Sequence, residues 1–461
     1  MNSRNEIELK NFFIFNSTYC IKEGEEQNKI LFYFPPTEDL NTQINNVGLV
    51  EAIIKFTGNF KSQCDTRSLH TLKTRQLYYQ PEKNFWMTMT LNLPFKVKSK
   101  EEVEQLDYME DEIQDEVYNA VLKQAYDLYY LFFGSFSDGS GSDTILLKSK
   151  LMNHFSPYLK SIKLAHCDIM NIFNGIHFLP LNKQNFLNVQ CFINLLECTY
   201  KFIKYTAVLF NDCLIWSSVE PPSMQTIYQY LTGILLPAQM ETEIQGGSMP
   251  RNSPFTSTHF GRYVTGPSNL KSAESLGKIP KVHLNSEKSS GTYYMILYRA
   301  LSATVCLFVA GEELNLSLFR DLDEFMGPKL TTIASDIAEY CAKHITPITN
   351  ADNSPRFIYF NKLNLACKST VHLDNRQSGN LATGKDTIKI MVDMDDQKSL
   401  IGLSGEIIVK TMNDCWVVGR FSNSREFYLA MQQKNASLIE INDEVKKVCD
   451  TELKGIFFHP M

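Results

Sequence analysis

KILFYFPPTEDLNTQINNVGLVEAIIKF, residues 29–56, holds the alternation that decides the fold: an aromatic strand, a double proline, then an apolar helix. Residues 29–34 (KILFYF) and the earlier run 11–15 (NFFIF) are both made of strand formers. A polar turn around Gly24 separates them, so the pair predicts a β-hairpin. Pro35 and Pro36 end the second strand. Residues 45–56 (NNVGLVEAIIKF) predict a short helix. At about 100° per residue, Val47, Leu49, Val50, Ala52, Ile53, Ile54 and Phe56 cover an arc of roughly 220°, against roughly 100° for an ordinary surface helix. Only Glu51 and Lys55 break the ring, and they stand at i,i+4, where they can pair. Such a helix either lies wholly inside its own domain or packs on its own sheet and on another subunit.

Extended stretches follow at 68–79 and 85–93; in the second, Met87, Met89, Leu91 and Leu93 alternate with Trp86, Thr88, Thr90 and Asn92. Residues 101–116 hold nine acidic residues and no basic one, and read as a solvated loop leading into an acidic first helical turn. From Ile113 a helical stripe runs through Val117, Val121, Ala125, Leu128 and Phe132 to Gly134. A loop at 137–143 precedes a helix at 144–164, in which Pro157 marks a point where it can kink. The order is strand, strand, helix, strands, helix, helix.

A similar alphabet returns: a helix at 185–204, a hairpin at 205–218 punctuated by Asn211-Asp212, and a helix at 223–236. Residues 237–278, rich in Gly, Ser, Pro and Thr, read as a long insertion. Residues 293–309 read as two strands, and 316–340 as a helix interrupted at Gly327-Pro328. A third part opens with strands at 356–360 and 363–371. After a polar, irregular segment at 374–405, strands span 406–429 and a last helix spans 436–449. Asn211-Asp212-Cys213 and Asn413-Asp414-Cys415 echo one another, which suggests that small α/β units recur.

Length and composition agree. At roughly 150 residues per domain, 461 residues suggest three domains. The net charge, 45 − 51 = −6, argues against a nucleic-acid-binding surface across the chain. Eleven cysteines without a C-x-x-C pair read as free, mostly buried thiols in a reducing compartment. The first residues lack the apolar core of a signal peptide, and the longest apolar stretch, 295–311, is broken by Arg299. A soluble intracellular protein is therefore expected, with any membrane contact peripheral or made through a partner.

No phosphate loop, G-x-S-x-G elbow or HExxH is present, and no two of the nine histidines stand at i,i+3 or i,i+4, so no catalytic, metal or cofactor site is expected. His166 beside Cys167 resembles a catalytic pair only superficially, because sequence neighbours seldom face each other. His70 and His372 read as ordinary strand residues. A chain without reactive groups, carrying an over-apolar helix, points to work done by surface contacts.

Several runs resemble one family, the Ccz subunit of the Mon–Ccz Rab guanine nucleotide exchange factor: residues 11–15, 29–33, 46–57 (NVGLVEAIIKFT), 68–76 (SLHTLKTRQ), 81–87 (PEKNFWM), 204–216 (KYTAVLFNDCLIW), 357–372 (FIYFNKLNLACKSTVH), 416–419 and 433–447 (QKNASLIEINDEVKK). The insertion 237–278 and the segment 374–405 match nothing in it. The resemblance implies an α+β architecture of three longin-type domains, each an antiparallel five-stranded sheet flanked by helices, at 1–164, 165–350 and 351–461. It implies an obligate Mon subunit, a late-endosomal Rab GTPase docked on the joint surface, a third regulatory subunit in animals, and recruitment by an upstream endosomal Rab and anionic phosphoinositides. Within that frame Val47, Leu49, Ile53 and Phe56 are expected at the partner interface, with Asn46, Glu51 and Lys55 facing the Rab. Lys73 and Arg75 are second-rank candidates for the Rab or the membrane. The alternative is a longin-type trafficking adaptor or tether without exchange activity.

Overall fold

The computed structural model describes residues 6–453 apart from 21, 60–67, 101–102, 138–143, 246–258, 268, 271–275, 287–288, 312–313, 345–355, 372–383 and 403. The chain divides into two units, residues 1–172 and 173–461.

In the first unit, β1 (Glu8–Asn16) and β2 (Ile30–Phe34) form the expected antiparallel hairpin, with Phe13 opposite Tyr33. α1 (Leu40–Gly58) follows, five residues longer at its start than its apolar run predicts. The extra turn exists because Asp39 caps it, its carboxylate accepting from the Thr42 N–H at 2.9 Å. β3 (Ser68–His70), β4 (Thr74–Glu82) and β5 (Phe85–Asn92) complete an antiparallel sheet ordered β2-β1-β5-β4-β3. The stretch 68–79 is thus broken by a turn, in which the Thr71 N–H reaches the Thr74 carbonyl at 3.0 Å. Val47 and Val50 of α1 pack on Phe13, Phe15, Ile30, Tyr33 and Tyr78. α2 (Asp115–Phe133) and α3 (Thr144–Ser161) supply the remaining helices, and a short α4 (Ile169–Phe173) follows.

One expectation fails here. The acidic stretch is not a loop throughout: β6 (Phe95–Lys100) and β7 (Val103–Tyr108) pair as a separate hairpin. Phe95 stands opposite Tyr108 with ring centroids 5.6 Å apart, and Lys96 pairs in register with Asp107. Cross-strand partners outweigh the unfavourable strand propensity of the acids. The turn at 101–102 and the loop residues 138–143 lie outside the described residues.

The second unit holds two sheets. β8 (Ile176–His177) and α5 (Lys183–Thr199) lead to the hairpin β9 (Ile203–Phe210) and β10 (Cys213–Ser217), turned at Asn211 with φ 51°. α6 (Pro221–Tyr230) runs through a π-turn into α7 (Leu236–Gln245). β11 (Gly261–Tyr263), β12 (Lys281–Ser286), β13 (Ser289–Ala300) and β14 (Ala303–Val309) give the order β10-β9-β14-β13-β11, with β12 also on β13. The expected break within 293–309 is the β13–β14 turn. Within the insertion, α7 extends past 237 and β11 joins the sheet; residues 246–258, 268 and 271–275 lie outside the described residues.

α8 (Leu316–His344) covers this sheet and runs without interruption through Gly327-Pro328. Gly327 is there for room, not for a break: a Cβ at that position would stand 2.4 Å from the buried His259 ring.

In the third part, β15 (Arg356–Asn361) and β16 (Ala366–Ser369) precede α9 (Lys385–Gln397). α9 corrects the reading of 374–405 as irregular: Ile388, Met391, Val392 and Met394 are buried at helical spacing among the aspartates. Residues 374–383 and 403, like His372, lie outside the described residues. β17 (Ser404–Lys410), β18 (Cys415–Ser422) and β19 (Arg425–Gln432) follow, and the order is β17-β18-β19-β15-β16-β8. α10 (Leu438–Glu452), the last described element, starts behind a Ser437/Glu440 capping box. Both sheets of this unit exceed the five strands expected, by β12 in one and by β8, paired parallel to β16, in the other. The cysteines also differ from expectation. Of the ten described, only Cys306 and Cys367 are buried, and Cys191 and Cys198 are exposed on the outer side of α5.

Candidate functional site

α1 is built with its polarity reversed. Asn45, Gly48, Leu49, Ala52 and Phe56 are exposed, and they fall within an arc of about 100°, away from the buried Val47 and Val50. Leu49 is 53% and Phe56 63% exposed, while Glu51, the one carboxylate of the helix, is only 8% exposed. Glu51 is held inward by two lysines, Lys29 from the turn before β2 and Lys55 one turn on, each at 2.5 Å. Burial pushes its carboxyl up, but the hydrogen bonds and charges of Lys29 and Lys55 outweigh this and hold it below the ordinary glutamate range. Asn46 is likewise engaged within the domain, donating to the Tyr33 hydroxyl at 2.8 Å.

The outer face therefore offers Leu49 and Phe56, two turns apart, with the small Ala52 between them and Gly48 beside Leu49. That arrangement gives a second helix or strand close access to the backbone between two apolar side chains. It contains no nucleophile, acid–base pair or ligand set.

Among the residues singled out from sequence, Leu49 and Phe56 lie on this face, and Lys55 lies exposed beside it. Five others do not fit the places expected of them, Asn46 among them through its hydrogen bond to Tyr33. Val47 belongs to the domain's own core. Glu51 is buried because Lys29, distant in sequence, neutralises it from below. Ile53 is partly buried against the same core. Arg75 is 6% exposed, its guanidinium donating to the Glu110 carbonyl at 3.2 Å and lying 3.4 Å from Asp115, so it fastens β4 to the start of α2 and is not a free cation. Lys73 is exposed, on the β3–β4 turn beside Leu72. Leu72 and Leu40 are exposed apolar residues that sequence reasoning passed over; Leu72's only signal is its place between Thr71 and Lys73 in a turn.

The chemical candidates read as structural. Burial, reinforced by Asp168, pushes the Cys167 thiol up to about 12, the opposite of an activated nucleophile. Among the described residues no group of three His, Cys, Asp or Glu is placed to hold a metal ion, and no helix is long and apolar enough to cross a membrane.

Three sheets with helices on their faces, and a site made of an outward apolar helix, define a tandem longin protein. Family models match in the same order: residues 9–134 match the first longin domain of INTU, CCZ1 and HPS4, residues 203–327 the Intu longin-like domain 2, and residues 351–448 the Intu longin-like domain 3. The vacuolar fusion protein CCZ1 homologue of Xenopus tropicalis is 42% identical over 457 residues, covering 98% of this chain and 97% of the relative. Its counterpart in Nematostella vectensis is 41% identical over 455 residues, covering 98% of each chain. That of Dictyostelium discoideum is 29% identical over 460 residues, covering 98% of each. The chain belongs to the vacuolar fusion protein CCZ1 family.

Proposed function

We propose that this chain is a trafficking factor of vacuolar or lysosomal fusion, and that it works as one subunit of a guanine nucleotide exchange factor. It pairs with a Mon subunit through the outer face of α1, and the pair opens a late-endosomal Rab GTPase. Such a factor breaks no covalent bond. It binds the nucleotide-free GTPase more tightly than the loaded one, and that difference ejects the nucleotide; GTP then displaces the factor. An upstream endosomal Rab and anionic phosphoinositides recruit the pair to late endosomes, lysosomes or autophagosomes, with a third subunit in animals.

The reading is carried by one observation: α1 turns Leu49 and Phe56 to solvent while it draws its carboxylate inward. A domain that buries this outer face against another subunit accounts for the arrangement. Family membership agrees, since the relatives are named for vacuolar fusion. The test has two parts. Leu49→Asp with Phe56→Asp is expected to abolish co-purification with the Mon subunit while the chain stays folded. The wild-type pair is expected to speed release of a fluorescent GDP analogue from the Rab. Pairing without any acceleration would leave a tether and remove the exchange activity from this account.

A further inference from the structure

β17 ends its sheet, and its outer edge is open. Its residues, Ser404–Lys410, all pair antiparallel with β18, from Ser404 opposite Ser422 to Lys410 opposite Trp416, without a register shift. On the other side, among the described residues, no strand pairs with it. Proteins usually blunt such an edge with a proline, a bulge or charge. β17 has neither proline nor bulge. It carries Ile407, Ile408 and Val409, all half-buried, between the charged Glu406 and Lys410.

The turn after β17 fixes which of its backbone groups face outward. Thr411 donates its N–H to the Cys415 carbonyl at 2.8 Å. In an antiparallel ladder, alternate residues bond to the same neighbour. Val409 and Ile407 therefore bond to β18, while Lys410, Ile408 and Glu406 turn their N–H and C=O groups to the open side. The side chains of these three share one face of the sheet. On that face Glu406 lies 3.1 Å from Arg420 and Lys410 lies 3.6 Å from Asp414. Both stay within reach of a second chain, Glu406 at 29% and Lys410 at 40% side-chain exposure.

Phase and charge together choose the occupant. Consider a second β17 laid antiparallel on the first about a two-fold axis. An axis between two residues would oppose outward to inward backbone groups, so the axis must fall on a residue. At Glu406 or Lys410 it sets like charges opposite each other. At Ile407 or Val409 it leaves both charges opposite uncharged residues. At Ile408 it places Glu406 opposite Lys410 of the second copy, and does so twice. The charges on that face then alternate in sign: Arg420, Glu406, the second copy's Lys410 and its Asp414. Ile408, which already packs against the core that holds Trp416, Val418 and Phe427, meets its own equivalent at the axis. An unrelated strand could bond to the same backbone, but nothing would match it to both charges.

We propose that β17 is a self-pairing edge: two copies of this chain join antiparallel through residues 406–410, so that their sheets become one. Residues 406–410 are a short stretch for a permanent dimer, so the contact forms where chains are concentrated. The proposal goes beyond the exchange reading and does not rest on it.

The full-length chain is sedimented at about 1 to 100 µM, a range suited to a small interface. A monomer–dimer equilibrium is expected. Glu406→Lys alone and Lys410→Glu alone each set like charges opposite one another twice. Each is expected to weaken self-association about tenfold or more. Mixing the two variants restores opposite charges at both contacts. A tagged Glu406→Lys chain is therefore expected to capture the Lys410→Glu chain and not an untagged copy of itself. Misfolding cannot produce that choice of partner, and matching circular dichroism melts check the fold. Both variants are expected to keep the Mon subunit, so failure here and failure of the α1 pairing are told apart. A wild-type chain that stays monomeric throughout overturns the assignment. So does a mixture that associates no better than either variant alone, or a dimer that neither substitution weakens. Hydrogen exchange at the Ile408 amide is expected to slow as the chain is concentrated; slowing only when the Mon subunit is added overturns the assignment in favour of that partner.

Discussion

Glu51 and Leu49, two residues apart on α1, face opposite ways, and each faces against its own chemistry: the carboxylate is inward between Lys29 and Lys55, and the leucine is 53% exposed. Burying the acid requires Lys29, and the proposed partner surface is what would cover the leucine. The following expectations come from this inversion and from other contacts of the fold.

Replacing Glu51 by Gln leaves Lys29 without its charge partner in a poorly hydrated position. Destabilisation of about 2–4 kcal/mol is expected, between the limits for surface and buried pairs. Lys55→Ala is expected to cost under about 0.5 kcal/mol, because that lysine is largely exposed. Protection of α1 and β1 amides against hydrogen exchange measures both. The pH dependence has a definite sign. The folded carboxyl titrates below its ordinary 4.5, so its contribution is complete above that value and is lost as the pH falls through the depressed one.

Leu49→Asp and Phe56→Asp are expected to change the stability of the isolated chain by no more than about 0.5 kcal/mol, as exposed positions do. Val47→Asp, in contrast, is expected to unfold the first unit. Thermal melts separate a lost interface from a lost fold, and equal damage from all three variants would place Leu49 and Phe56 in a core.

His154 of α3 sits among the rings of Tyr129, Phe133, Phe155 and Tyr158, with its Nε2 buried and unpartnered. Burial pushes its titration down to about 4. The unfolded chain therefore binds a proton between about pH 6.5 and 4 that the folded chain refuses, and the first unit loses up to about 3 kcal/mol across that window as the pH falls. In His154→Phe the slope of stability against pH between 4 and 6.5 is expected to flatten.

Gly327→Ala sets two effects against each other. Alanine favours a helix interior by about 1 kcal/mol over glycine. Its Cβ, however, would stand 2.4 Å from the His259 ring, which is packed beside Asp323. The clash is expected to win, with a net loss of about 1–3 kcal/mol. His259→Ala should relieve it, so the double variant should be more stable than the sum of the single effects predicts in urea unfolding.

Much of this fold is legible in residues 11–56, because alternation and helical spacing are local properties. The Asn211 and Asp414 turns are legible for the same reason: both adopt the positive φ that Asn and Asp tolerate, at 51° and 58°. α9 and β7 are not. Both are acidic, and part of what accommodates their acids lies far along the chain: Asp395 of α9 accepts from the Tyr428 hydroxyl at 3.0 Å as well as pairing with Lys398 three residues on. The wide apolar arc of α1 shows that more than one side of the helix is apolar, but not which side packs on the domain's own sheet. That depends on Lys29, 22 residues before Glu51. Arg75 reads as a free strand cation until Asp115 and the Glu110 carbonyl are brought to it by the fold.

The central claim is tested most directly by release of a fluorescent GDP analogue from the late-endosomal Rab, with the chain and its Mon partner added together. Acceleration by the wild-type pair, and none when the chain carries Leu49→Asp and Phe56→Asp, is the result this account predicts. Equal acceleration with the substituted chain, or equal affinity of the wild-type pair for the loaded and the empty GTPase, would contradict it.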